Sequence, residues 1–134
     1  MAIYGIGAKY GDTDVSGTFI TEKFVATGWD IDEAPDIHEY FKVIEPGDVV
    51  YIKSCSYSSN IRVKGIGIVI DDEILTSTRH SCIEIGRNVK WIYKDWFTME
   101  RPEEQKNNVR SNTIYREFHP EIVEHIMNYV NCYL

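Results

Sequence analysis

The residues with most to offer a ligand are aromatics beside short polar turns. Trp29 sits in Gly28-Trp29-Asp30, at the end of an apolar stretch and just before a helical pattern, where pocket lips form. Trp91 lies inside the strand-like run VKWIY, and Tyr10 stands beside the turn Gly11-Asp12. Each flat ring can stack on a base, which contributes ~1–3 kcal/mol per base in single-strand recognition. The competing role of each tryptophan is core filler with its N–H satisfied, and Trp96 reads as core or surface packing. Lys53, Ser54 and Arg79 are the groups available for a phosphate or a base edge.

Other constellations carry less. His80 and Cys82 are two apart, so on a strand they would share a face, but a structural zinc site needs four ligands and no second pair has usable spacing. A thiol nucleophile would need a histidine base brought up in space, and a cysteine more often acts as a small apolar residue. The paired carboxylates (Asp12 and Asp14, Asp30 and Asp32, Asp71 and Asp72) fall in turn-like segments, where solvated turn chemistry is the default. Gly5-x-Gly7 is followed by Tyr10 where a dinucleotide fingerprint has its third glycine, and no phosphate-cradling Gly-Lys-Ser/Thr run exists. The expectation is no catalytic set, no metal and no cofactor.

Positioning these residues falls to a mixed set of elements. Residues 3–8 and 23–29 read as strands. Pro35 opens a helix with acidic residues in its first turn, and Ile37, Tyr40, Phe41 and Ile44 follow its 3.6-residue period. Pro46-Gly47-Asp48 stops it. Residues 49–53 form a strand, CSYSSN a serine-rich loop, and 61–70 a long strand. Gly65 and Gly67 share one face of that strand and leave a trough for another backbone or a flat ligand. Residues 81–85 and 89–93 read as two strands around Gly86-Arg87-Asn88. Residues 101–112 read as an exposed loop, 113–118 as a last strand, and Pro120 starts a final amphipathic helix. Strands and helices do not alternate, so a doubly wound sheet is excluded. The fold class expected is α+β: one domain, residues 1–134, a small curved and mainly antiparallel β-barrel with two packing helices.

The 134 residues carry a net charge of −7 and three widely spaced cysteines, Cys55, Cys82 and Cys132. That charge argues against tracking a long duplex by phosphate neutralisation. The stretch from Lys53 to Lys94 is nevertheless +3 against −10 for the rest, which leaves room for a local basic face. An odd cysteine count is no disulfide framework. Neither a leader-like N-terminus nor an apolar run of about 20 residues is present. A cytoplasmic protein without membrane contact is expected.

Three segments together resemble the PUA-like superfamily, and within it the small EVE and ASCH type of domain. They are IYGIGAKYG, GWDIDEAPDIHEYFKVIEPGDVVYIKS and KGIGIVIDD. The family habit is a helix, a Gly-Asp turn, an apolar strand placing Tyr or Lys, and a Gly-Ile-Gly strand. Gly47-Asp48, Tyr51-Ile52-Lys53 and Gly65-Ile66-Gly67 match it. The resemblance spans residues 3–70 and then fades, and no motif aligns from Arg79 on. It implies a curved barrel with a pocket between the first strand, the first helix and neighbouring strands, used by relatives to hold RNA or a modified base. The expected activity is non-enzymatic recognition of a nucleobase in nucleic acid or as a nucleotide, through Tyr10, Trp29 and Trp91, with Lys53, Ser54 and Arg79 on its polar parts. Two other readings stay open: a protein-interaction accessory of a phage or defence system acting through its acidic surface, and an RNA- or nucleotide-processing enzyme of ASCH type.

Overall fold

A computed structural model describes residues 1–54, 60–100 and 113–134. Its chain order is β1 (Ile3–Ile6), β2 (Lys9–Tyr10), β3 (Thr13–Asp14), α1 (Ser16–Glu22), β4 (Phe24–Thr27), α2 (Pro35–Val43), β5 (Val49–Ser54), β6 (Ile61–Val69), β7 (Ile85–Tyr93), β8 (Phe97–Met99), β9 (Ile114–Arg116) and α3 (Pro120–Tyr133). The architecture is α+β. One sheet runs β4-β7-β6-β5-β1-β9, with β8 also paired to β6, and β2-β3 form a separate hairpin. Neighbours pair antiparallel except β1 and β5, which run parallel.

The sheet curls into a mainly antiparallel half-barrel. Among the described residues its end strands, β4 and β9, do not pair with each other. Curl is built in by two register shifts, one opposite Ile52 and Lys53 and one opposite Ile66 and Gly67. An extra residue in a ladder bends the strand and tightens its twist.

Strand alternation sends side chains to two cores. Val50 and Ile52 join Phe19 of α1 and Phe41 of α2 on one face. Val49 and Tyr51 join Ile122, Ile126 and Val130 of α3 on the other. The Gly-Asp turn has a clear physical job. Gly47 adopts φ 91, open to glycine. Buried Asp48 accepts hydrogen bonds from the Ala2 N–H and the Glu45 N–H, both at 2.9 Å. It thereby fastens the entry of β1 to the exit of α2.

Three expectations need correction. Residues 16–22 are a helix, α1, so the described residues hold three helices rather than two. Gly86-Arg87-Asn88 is not a turn between strands but the interior of the nine-residue strand β7. Residues 81–85 are turns up to the start of β7. Arg87 is fully buried and donates from Nη1 to the carbonyls of Phe41, at 3.0 Å, and Ile44, and from Nη2 to Asp71 O at 2.7 Å. A helix end leaves unsatisfied carbonyls, and here a guanidinium from the sheet meets them. The expected loop at 101–112 and most of the CSYSSN loop lie outside the described residues.

Candidate functional site

At one end of the sheet, where β1 and β5 finish side by side, a cleft of about 610 Å³ opens to solvent. The volume lies within the usual range for small-ligand sites, roughly 300–1,000 Å³. Its walls come from the β1–β2 segment (Gly7 to Gly11), Asp14, the Gly28-Trp29 corner, Glu33, the end of β5 (Ile52 to Ser54), Lys64 and Thr113.

Each aromatic wall has a local cause. β2 and β3 are joined by a two-residue loop with Gly11 at φ 62, the positive φ that tight hairpin turns favour. This short hairpin presents Tyr10. The Tyr10 ring lies against Gly28, where even a Cβ would come within 2.5 Å of two ring carbons. Trp29 follows directly, 49 % exposed. Its backbone is held from both sides: its N–H donates to Thr27 Oγ1 at 3.2 Å, and its carbonyl lies 2.6 Å from His38 Nε2 on α2. The helix thus fixes the corner that carries the indole.

Charge in the cleft is mixed. Lys9, Lys53 and Lys64 face Asp14 and Glu33. Pairing jumps from Ile52↔Gly65 to Lys53↔Val63, so Lys64 is the extra residue of the bulge. Its ammonium lies 2.6 Å from Asp14 Oδ2. Asp14 also accepts the Ser16 N–H at 2.9 Å. Partial burial raises the Asp14 pKa, but the Lys64 and Ser16 hydrogen bonds outweigh it and bring it down to about 2. A general acid or base works best near the operating pH, so Asp14 is a fixed anion. The Lys53 ammonium sits 5.5 Å from the centroid of the Tyr115 ring. No group of three or more histidine, cysteine, aspartate or glutamate side chains is placed to hold a metal among the described residues.

Four of the six candidate residues therefore meet in one place: Tyr10, Trp29, Lys53 and Ser54. Two do not. Trp91 is buried, and its Nε1–H donates to Phe19 O at 2.9 Å. Its indole covers Gly65 and Gly67, filling the trough expected to take a backbone or a flat ligand. Arg79 lies outside the cleft, donating to Glu22 O at 2.8 Å with Glu22 Oε2 at 3.7 Å, and covering the Phe24 ring. His80 and Cys82 fall in a turn where the Cys82 N–H donates to His80 Nδ1 at 3.1 Å. Burial raises the Cys82 thiol pKa, the opposite of an activated nucleophile.

Lys64, Asp14, Gly28 and Glu33 belong to the cleft without having been singled out. Lys64 carried a faint signal, as a cation two residues from Arg62 on one strand face. Trp96, read as packing, is 58 % exposed, with Arg62 and Lys64 beside its ring. No helix among the described residues is long and apolar enough to cross a membrane. Neither a model of a known protein family nor a curated protein sequence matches this chain.

Proposed function

We propose that this protein is a non-enzymatic binding module of PUA-like type that takes a nucleobase, in nucleic acid or as a nucleotide, into the cleft between Tyr10 and Trp29. The observation that carries the reading is the meeting of two exposed aromatic side chains and three lysines around one open cleft of base-binding size. The aromatic rings supply stacking, Lys9 and Lys64 supply positive charge for a phosphate, and Ser54 supplies a hydrogen bond to a base edge. A site that encloses one base needs only this local chemistry. The net charge of −7 then weighs on long-range association rather than on recognition. Asp14, pinned as an anion by Lys64, supports binding over acid–base catalysis.

The test is a titration of tryptophan fluorescence with nucleosides and nucleoside monophosphates, plain and base-modified. Quenching is expected with at least one of them. Trp29→Ala abolishes the signal and Tyr10→Ala weakens binding about 5- to 150-fold, the loss of one stacking wall. Quenching by a mononucleotide persists in Trp96→Ala. Absence of any response to nucleosides, nucleotides and oligonucleotides would refute the reading.

A further inference from the structure

Beyond the single-base cleft, the geometry points to a second stacking position on Trp96, flanked by Arg62 and Lys64, that holds the neighbouring nucleotide of a single-stranded polynucleotide whose base occupies the cleft. This inference rests on the cleft reading above and extends it from a base to a strand.

Trp96 lies in the short break between β7, which ends at Tyr93, and β8, which starts at Phe97. β8 takes over from β7 along the same edge of β6, with Val63 opposite Phe97 and Arg62 opposite Thr98. Phe97 turns towards α3, stacking on Tyr129 at 4.1 Å between centroids. Trp96 is left outside, more than half exposed. Burying apolar surface is worth about 25 cal/mol per Å², so an indole so placed forgoes much of its burial free energy in the isolated chain.

Its neighbours are two cations rather than apolar side chains. The Arg62 guanidinium carbon is 5.6 Å from the ring centroid and the Lys64 ammonium 5.0 Å. Lys64 also reaches 2.6 Å from Asp14 and lines the cleft. One lysine therefore touches both the base cleft and the outer indole. A half-exposed ring with two cations over it brings together groups for both parts of a strand's repeating unit, a base and a phosphate. A free nucleoside would leave Trp96 and Arg62 unused. Duplex is a poor match, because its bases stack on each other and its dense phosphates meet a chain of net charge −7.

The experiment compares labelled single-stranded hexanucleotides, DNA and RNA in separate arms, with nucleoside monophosphates on the intact protein. A hexanucleotide is expected to bind at least tenfold more tightly than any mononucleotide, and the tighter arm identifies the sugar. Trp96→Ala weakens the hexanucleotide about 5- to 150-fold and leaves the mononucleotide dissociation constant unchanged. Arg62→Ala lowers the slope of log K against log salt by about 0.7, one phosphate contact on a single strand, and Arg62→Lys keeps it. Both residues are exposed, so unchanged melting temperatures check the fold. Mononucleotide binding that Trp29→Ala removes, together with hexanucleotide affinity indifferent to Trp96→Ala and Arg62→Ala, overturns this inference and leaves the cleft standing. Failure of every nucleotide and oligonucleotide to bind overturns both.

Discussion

Gly28→Ala separates the cleft from the stability of the fold. A Cβ at residue 28 would lie 2.5 Å from Cδ2 and Cε2 of Tyr10. Carbon atoms rest about 3.5–4.0 Å apart, so the ring has to withdraw by about 1 Å or more. Tyr10 is half exposed on a short hairpin and can move without opening the core. Gly28 does not have a positive φ, so alanine brings no backbone strain. Such replacements gain about 0.4–1 kcal/mol through the unfolded chain, which offsets the cost of moving one ring. The melting temperature should therefore stay within a few degrees of the parent. A gap of about 1 Å forfeits about half of a contact's attraction. Applied to a stacking contribution of ~1–3 kcal/mol, that predicts a dissociation constant for a cleft-bound mononucleotide raised about 2- to 12-fold. Fluorescence titration measures it, with Tyr10→Ala and the double variant completing a cycle in which the two losses are not additive. Unchanged affinity, or losses that add in full, would refute the role given to Tyr10. A fall of more than about 10 °C in melting temperature would instead make the Tyr10–Gly28 contact part of the core.

Three further outcomes follow from the buried and paired charges. Arg87→Met strips the donor from the Phe41 and Ile44 carbonyls and should cost about 2–4 kcal/mol, read as a lower urea midpoint; Arg87→Lys should not restore it, because one ammonium cannot replace the planar fork. The Asp14 carboxyl should titrate near pH 2 by NMR and move up towards 3.8 in Lys64→Ala. Its folded pKa is depressed, so its small contribution to stability is complete above the unfolded value and fades as pH falls through about 2. Tyr51, buried between Tyr115 and Glu117, is raised well above 10 by desolvation and by the Tyr115 and Glu117 charges. Stability linked to it is complete below pH 10 and is lost as pH rises further, so alkaline unfolding of the parent should begin earlier than that of Tyr51→Phe, although the variant is about 1–2 kcal/mol less stable at pH 7.

The parts of the fold legible from the chain were those set by strong local signals. Pro35 at the helix start, Ile37 and Phe41 on its inner face, and Gly47 at its exit marked α2 and the following turn. Alternation and β-branching marked β5 and β6. α1 was not legible, because SGTFITE holds glycine, threonine and isoleucine, weak helix formers, and is held by packing of Phe19 and Ile20 on the sheet. Gly86-Arg87-Asn88 has turn composition but lies within β7. Gly86 is there because a Cβ would meet Val25 O at 2.6 Å across the β4–β7 pair, and Arg87 because α2 needs its donors. For the cleft, Tyr10, Trp29, Lys53 and Ser54 were found because they stand at element ends. Trp91 misled because an indole over two glycines satisfies a core as well as it would a pocket. The pairing of Lys64 with Asp14 was not legible because it depends on a β-bulge and spans a 50-residue separation.

The most direct measurement is the indole N–H region of a two-dimensional proton–nitrogen NMR spectrum during titration with nucleoside monophosphates. The three tryptophans are separate reporters. The Trp29 resonance, assigned from Trp29→Phe, should shift and saturate, while that of Trp91, hydrogen-bonded to Phe19 O in the core, stays in place. A Trp29 resonance that remains still at millimolar nucleotide, plain or modified, would contradict base recognition at this cleft.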